Sequence, residues 1–367
     1  MRFSRLSGLS KVWVVAHRGA SFWEPENSLA ALEAAIRLGA SHVEVDVRRC
    51  RDSLLAFHDP TVDRTTDGRG SLAQLSLEEV KKLYLGVGQR VPTLEEALEA
   101  MRGRINPVIE VKEPGTEGEI LRLVEELGLL DQALFVSFHH SALLNLKRLN
   151  PKASTGIIVR GEILTPVEAA RRARAEWILP DHRHTTSQLV SKAKAEGLKV
   201  AAWVVNDRAE ADRLLKLGVD ALASDRPEIL TGRPLHRPLR AYIGGPIQGL
   251  EEDQAYREVL AEVLRKAGFE PVDPWLREQA YYRGVAGKAE AYRLVRRDLL
   301  DLECCELLVA YMPRLSAGLA MEIYHAKLKG KKVYLVSPLE DLSPWLLAHT
   351  DQTFKTIEEL EAFLGNI

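Results

Sequence analysis

Short apolar runs alternate with longer amphipathic segments over the first two-thirds of the chain. The runs predict strands at Val12–Ala16, Val43–Val47, Pro107–Lys112, Ala133–Phe138, Thr155–Val159, Trp177–Leu179, Lys199–Val205 and Asp220–Ser224. Between them apolar residues recur at helical spacing, as in Glu119–Leu127, Ala142–Leu149, Ser187–Glu196 and Ala209–Leu217. The first helix takes Asn27 or Ser28 as N-cap, carries Leu29, Leu32 and Ile36 on its apolar face and stops at Gly39. Eight strand–helix units in roughly 220 residues predict an α/β fold of the TIM-like (β/α)8 barrel type, with functional groups at the C-terminal strand ends. One further run, Leu54–His58, stands outside this count and reads as a hairpin arm.

Polar residues gather at those ends. His17 and Arg18 follow strand one, Glu44 and Asp46 sit on strand two, and Glu110 and Lys112 on the next. Glu44 and Asp46 leave their strand on one face, about 7 Å apart, and repel unless one is protonated or a cation lies between them. Asp46 and His58 are equidistant from Asp52, so a hairpin turn there predicts His58 opposite Asp46, with Cα atoms about 5 Å apart. Glu44, Asp46 and Glu110 offer three carboxylates to a hard divalent cation, Mg²⁺ or Ca²⁺. Arg18 and Lys112 suit a phosphate, and His17 and His58 suit proton transfer across a scissile phosphodiester.

The charges nearly cancel, 50 basic against 52 acidic, which argues against nucleic acid or an anionic membrane as partner. Three cysteines make neither a disulfide framework nor a zinc pattern, and no apolar run is long enough to span a bilayer. Residues 1–11 lack the apolar core of a signal peptide. The expectation is a cytoplasmic protein.

His17-Arg18-Gly19, Pro25-Glu26-Asn27-Ser28, Glu44-Val45-Asp46-Val47, Phe57-His58-Asp59, Glu110-Val111-Lys112, Trp203-Val204-Val205-Asn206 and Ser224-Asp225-Arg226-Pro227 occur in this order. Over residues 11 to 230 the chain thereby resembles the glycerophosphodiester phosphodiesterases. The resemblance implies hydrolysis of glycerophosphodiesters to glycerol 3-phosphate and an alcohol with Mg²⁺ or Ca²⁺. It implies His17 and His58 as acid and base, Glu44, Asp46 and Glu110 as metal ligands, and Arg18, Lys112, Asn27 and Trp203 as substrate contacts. Ser28 stands where the family usually has Thr, and Cys50-Arg51-Asp52-Ser53 replaces its Thr-x-Asp-Gly turn. A route through a cyclic phosphate, with the substrate's own hydroxyl attacking, is the rival within phosphodiester chemistry.

A proline-rich stretch closes the barrel region, giving domains at 1–230 and 240–367 with a linker at 231–239. Beyond it the alternation restarts: strands Ala241–Gly244, Phe269–Val272, Leu307–Tyr311 and Lys332–Val336, helices Gln254–Ala267, Ala289–Leu302 and Leu319–Leu328. Four such units predict a small doubly wound parallel sheet, flavodoxin- or Rossmann-like, binding its ligand at the strand ends. The turn Gly244-Gly245-Pro246-Ile247-x-Gly249 lets backbone approach a ligand, and Ser316-Ala317-Gly318 offers a helix start to an anion. These residues, with Tyr242, Asp298 and Glu322, resemble the nucleoside 2-deoxyribosyltransferases and the related deoxynucleoside-monophosphate N-glycosidases. The resemblance implies Glu322 as nucleophile on a sugar C1, Tyr242 and Asp298 assisting, and a nucleoside or nucleotide ligand held by Gly245, Ser316 and Gly318. Ser316 stands where the transferases of free nucleosides have Asp, which favours a phosphorylated ligand. A non-catalytic nucleotide-binding module regulating the phosphodiesterase is the competing expectation, and oligomerisation through this domain is a further one.

Overall fold

Alternate residues of the barrel strands face two different cores. Val43, Val45, Val47, Ile109, Phe135, Ile157 and Ile178 pack outward against helix residues such as Leu32, Leu98, Leu143 and Val190. Val15, Val108, Leu134, Val136, Ile158, Trp177, Leu179, Ala201 and Ala221 point the other way and fill the interior. The computed structural model that shows this describes residues 12–162, 164–247, 253–277 and 287–366; residues 1–11 and Gly249 lie outside the described residues.

The chain divides into two compact units. Met1–Thr65, Arg69–Leu83 and Gln89–Leu235 form one, and Thr66–Gly68, Tyr84–Gly88 and His236–Ile367 the other. In the first, eight parallel strands run in order: Trp13–Ala16, His42–Arg49, Asn106–Val111, Leu134–Ser137, Ser154–Val159, Trp177–Pro180, Lys199–Ala202 and Ala221–Ser224. The first pairs with both the second and the eighth, which closes the barrel. Ser28 is the N-cap of the helix Leu29–Arg37, accepting from the Ala31 N–H, while Asn27 does another task described below.

The hairpin arm Leu54–Ala56 corrects one expectation. Its antiparallel register is Val47 with Ala56, Arg48 with Leu55 and Arg49 with Leu54. Phe57 therefore stands opposite Asp46, donating its N–H to the Asp46 carbonyl at 2.9 Å. The turn centres one half-residue earlier than expected because Cys50 N–H closes it on the Ser53 carbonyl, leaving Arg51 and Asp52 at its tip. His58 follows the end of the strand and reaches the site from a loop.

The second unit holds five parallel strands, one more than expected. Their order is Phe269–Val272, Leu239–Gly244, Leu307–Tyr311, Lys332–Val336 and Gln352–Phe354. The last is too short to show a period in sequence, and it precedes the closing helix Ile357–Leu364. Ala241, Ile243, Leu307 and Val309 face one helical layer, Tyr242, Leu308 and Ala310 the other, so the sheet is wound on both faces. The sequence order 2-1-3-4-5 puts its switch point between Leu239–Gly244 and Leu307–Tyr311. No helix among the described residues is long and apolar enough to cross a membrane.

Candidate active sites

The C-terminal mouth of the barrel opens into a cavity of about 430 Å³, lined by His17, Arg18, Glu44, His58, Glu110, Lys112 and Trp203 among others. Parallel pairing puts Asp46 in register with Glu110. Glu44, Asp46 and Glu110 each offer an oxygen within 4.8 Å of the other two, and all three are buried. Glu44 Oε1 has no hydrogen-bond partner, and Asp46 Oδ1 and Glu110 Oε1 face the Lys112 ammonium at 2.8 and 2.6 Å. Three buried carboxylates converging with oxygens to spare fit a hard divalent cation.

Their charges are unequal. Burial, with Asp46 beside it, pushes Glu44 up to about 8. Burial alone would raise Asp46 as well, but Lys112 and Arg18 outweigh it and hold that carboxyl well below its ordinary range. Glu110 is raised by burial despite Lys112. Arg18 N–H donates to Glu44 Oε2 at 2.8 Å, and its Nε lies 3.1 Å from Asp46 Oδ2. Asn27 Nδ2 donates to that same Oδ2 at 2.8 Å, and Asn27 Oδ1 accepts from Asp46 N–H at 3.2 Å. Asn27, expected as a substrate contact, clamps the Asp46 carboxylate with these two bonds. Arg18 and Asn27 both hold left-handed backbone, at φ 56° and 58°, a conformation uncommon away from glycine.

The two histidines have matching supports and opposite electrostatics. His17 Nδ1 donates to Asp225 Oδ1 at 2.7 Å, and Asp225 is itself held by Asn206 Nδ2 at 2.6 Å and Ser21 Oγ at 3.1 Å. Burial opposes the charge on His17, yet Asp225 and Glu44 prevail and its pKa is raised. His58 Nδ1 lies 2.5 Å from Asp59 Oδ1. Burial, reinforced by Lys112 and Arg18, lowers the His58 pKa although Asp46 pulls the other way. Arg64 bonds Asp59 at 2.5 Å and Glu26 at 2.7 and 2.8 Å, and Glu26 bonds Arg18 at 3.0 Å. One chain of ion pairs thus joins the support of His58 to the acidic cluster.

Trp203 lines the cavity, donating Nε1–H to the Leu179 carbonyl at 2.8 Å and meeting Phe138 edge-on at 5.8 Å. Sequence reasoning placed Asn206 and Asp225 at strand ends on the mouth without giving them a role, and gave none to Asp59 or Arg64. Asp225 was within reach: it follows the eighth strand, which adjoins the first in any closed barrel. His182, in the short turn after the sixth strand, lines the cavity with Nδ1 2.7 Å from Glu210.

In the second unit the Tyr242 hydroxyl donates to Glu322 Oε1 at 3.0 Å. Tyr242 is fully buried on the first strand in sequence, and Glu322 lies in the helix Ala317–Leu328 after the third. They meet beside the switch point. Burial pushes Glu322 up to about 7, the Tyr242 bond and Arg257 offsetting part of the rise. A Cβ at Gly244 would lie 3.0 Å from Glu322 Oε2, so glycine makes room for the carboxylate. At Gly245 a Cβ would lie 2.0 Å from the Tyr256 hydroxyl, so that glycine accommodates a tyrosine. Arg257, overlooked in sequence, ties this turn together by donating to the Ile243 and Gly245 carbonyls and to Asp273.

Among the described residues, the other expected groups meet these partners. Asp298 pairs with Arg277 at 3.1 Å. Ser316 caps its helix, accepting from Leu319 N–H at 3.3 Å, and lines a separate apolar cleft with Met321, Tyr324 and Trp345. Gly318 is in the first helical turn, with open space beside its Cα. Glu322, six residues past Ser316, belongs to the second turn and turns to the sheet.

The sequence model of the glycerophosphoryl diester phosphodiesterase family matches residues 17–229, and that of nucleoside 2-deoxyribosyltransferase matches residues 241–353. A glycerophosphodiester phosphodiesterase of Caldanaerobacter subterraneus subsp. tengcongensis is 35% identical over 234 residues, covering 60% of this chain and 96% of the relative. A phosphodiesterase of Oleispira antarctica, solved in complex with the product sn-glycerol-3-phosphate, superimposes with a TM-score of 0.55 at 33% identity. The match covers 59% of this chain and 94% of that one. A structure from Galdieria sulphuraria, described as a glycerophosphodiester phosphodiesterase, gives 0.55 at 29% identity over 60% and 96% of the two chains. With the first family match spanning more than half of the 367 residues, the chain belongs to the glycerophosphoryl diester phosphodiesterase family.

Proposed function

We propose that the barrel hydrolyses glycerophosphodiesters to glycerol 3-phosphate and an alcohol. The observation that carries this reading is the pair of histidines, each backed by a carboxylate and with opposed pKa shifts, lining one cavity with Arg18, Lys112 and the acidic cluster. Arg18 and Lys112 hold the phosphate oxygens. His58, whose pKa burial lowers, takes a proton from the attacking water as the water oxygen bonds to phosphorus. His17, whose pKa is raised against the effect of burial by Asp225 and Glu44, gives its proton to the alcohol oxygen as the P–O bond breaks. A divalent cation bound by Glu44, Asp46 and Glu110 would polarise a phosphoryl oxygen and offset its developing charge.

A product-resolved screen of glycerophosphodiesters, run with Mg²⁺ or Ca²⁺ and again after exhaustive chelation, tests this. Release of glycerol 3-phosphate is expected only with metal, and full turnover after chelation would sink the metal assignment. Accumulation of a cyclic phosphate would instead show that the substrate's own hydroxyl attacks.

A second reading concerns the other unit, and the Tyr242–Glu322 pair at the switch point favours it. There Glu322 attacks the sugar C1 of a deoxynucleoside or deoxynucleotide, releasing the base. The attacking form is the carboxylate, so kcat/KM for base release is expected to rise with pH through about 7. Because folding raises this pKa above the usual 4.5, the folded unit binds the extra proton. The stability that this proton supplies is present at low pH and fades as pH climbs from there towards 7. Glu322→Gln should abolish base release and flatten that slope. Ligand-induced thermal stabilisation without base release in the wild type would instead mark a non-catalytic nucleotide-binding module.

A further inference from the structure

The far side of the barrel cavity differs in chemistry from its reacting side. In a closed barrel of eight strands the fifth stands across the mouth from the first. Here the first strand leads into His17 and Arg18 and the fifth, Ser154–Val159, into Arg160; both ends line the same cavity. Arg160 is exposed and has neither a hydrogen-bond nor an ion-pair partner among the described residues.

Its neighbours on the cavity wall leave that charge uncompensated. Among the described residues, the carboxylates lining the cavity are Glu44 and Glu110, on the reacting side, and Asp181. Asp181 is occupied by Arg183, whose Nε and Nη2 reach its two oxygens at 3.0 and 2.7 Å. Phe138, 42% exposed, and Trp203 form an apolar flank. An aromatic flank could stack on a quaternary ammonium, but an unpaired guanidinium on the same wall repels one.

We propose that Arg160 selects diesters whose alcohol reaches across the mouth with an anionic group, a phosphomonoester or a carboxylate. This rests on the phosphodiesterase reading of the barrel. A phosphate held at Arg18 and Lys112 sends one ester arm over Phe138 and Trp203, and Arg160 closes a charge-assisted, bidentate contact at its far end.

The test measures kcat/KM on the full chain with a divalent cation for three substrates. These are glycerophosphoglycerol, glycerophosphocholine, and glycerophosphoglycerol bearing a terminal phosphomonoester. The wild type is expected to prefer the third, and Arg160→Ala to cut the ratio of the third to the first about tenfold, chiefly through KM. Arg160→Glu should shift preference towards the choline ester. A ratio that moves less than twofold in Arg160→Ala overturns the inference while leaving the phosphodiesterase reading in place. A wild type that hydrolyses none of the three overturns both.

Discussion

Alanine at His17 or at His58 is expected to lower kcat for glycerol 3-phosphate release by about a hundred- to ten-thousand-fold, the usual contribution of a positioned acid or base. Both side chains reach the cavity, so neither change should unfold the barrel, and far-UV circular dichroism should match the wild type. The two variants should differ in character. His58→Ala removes the group that accepts a proton, so a small added base such as imidazole should restore part of its activity. His17→Ala removes the group that protonates the departing alcohol, so it should recover most on esters of acidic alcohols such as p-nitrophenol, which leave unprotonated. Asp225→Asn should follow His17→Ala in direction with a smaller loss, since Asn206 and Ser21 still hold the residue while the charge that favours the protonated imidazole is gone. Equal rates for wild type and His17→Ala would remove the acid–base assignment altogether.

Asp46→Ala is expected to damage both activity and fold. Asp46 is completely buried, and Arg18, Lys112 and Asn27 all converge on it. Breaking a buried ion pair costs about 3–5 kcal/mol when the partner is left fully buried and unpaired, and here Glu110 stays on Lys112 and Glu26 on Arg18. Arg18 and Lys112 keep 17% and 9% of their side-chain surface exposed, so a value near the lower bound, about 3 kcal/mol, is expected. For a unit of this size that corresponds to a fall in Tm of about 6–12 °C. The wild type should gain Tm on titration with Mg²⁺ or Ca²⁺, and Asp46→Ala should not. A variant that melts within about a degree of the wild type and responds to cation as the wild type does would remove Asp46 from the metal site.

Much of the barrel centre could be read from the chain because its residues sit on strands. Period-two alternation puts Glu44 and Asp46 on one face and Val43, Val45 and Val47 on the other, and the barrel turns the first face inward. Glu110 follows once the third strand is counted, since parallel neighbours bring it into register with Asp46. His58 was harder. Its place depends on where a four-residue turn closes, a single hydrogen bond from Cys50 to Ser53 that composition does not specify.

The second unit shows the converse. Its strands and winding were legible, but the short strand Gln352–Phe354 carries too few residues for a pattern, and it forms by pairing with Lys332–Val336. Asp298 and Glu322 lie on helices, where spacing along the chain fixes a face but not what that face meets. The structure turns Glu322 to Tyr242 and pairs Asp298 with Arg277, partners that spacing along the chain does not specify.

What the amino-acid order determined by itself was the local: strand and helix identity, the eightfold repeat, and the carboxylate face of the second strand. These follow from side-chain period and turn chemistry, which act over a few residues. Only the tertiary structure decided which way the pKa of each group moves. His17 and His58 are the same residue type next to the same kind of partner, yet one is raised and the other lowered. At His17, Asp225, 208 residues away along the chain, and Glu44 outweigh the burial that lowers both, whereas at His58 the Lys112 and Arg18 charges add to it. Electrostatic energy depends on distance through space and on burial, and closure of the barrel sets both.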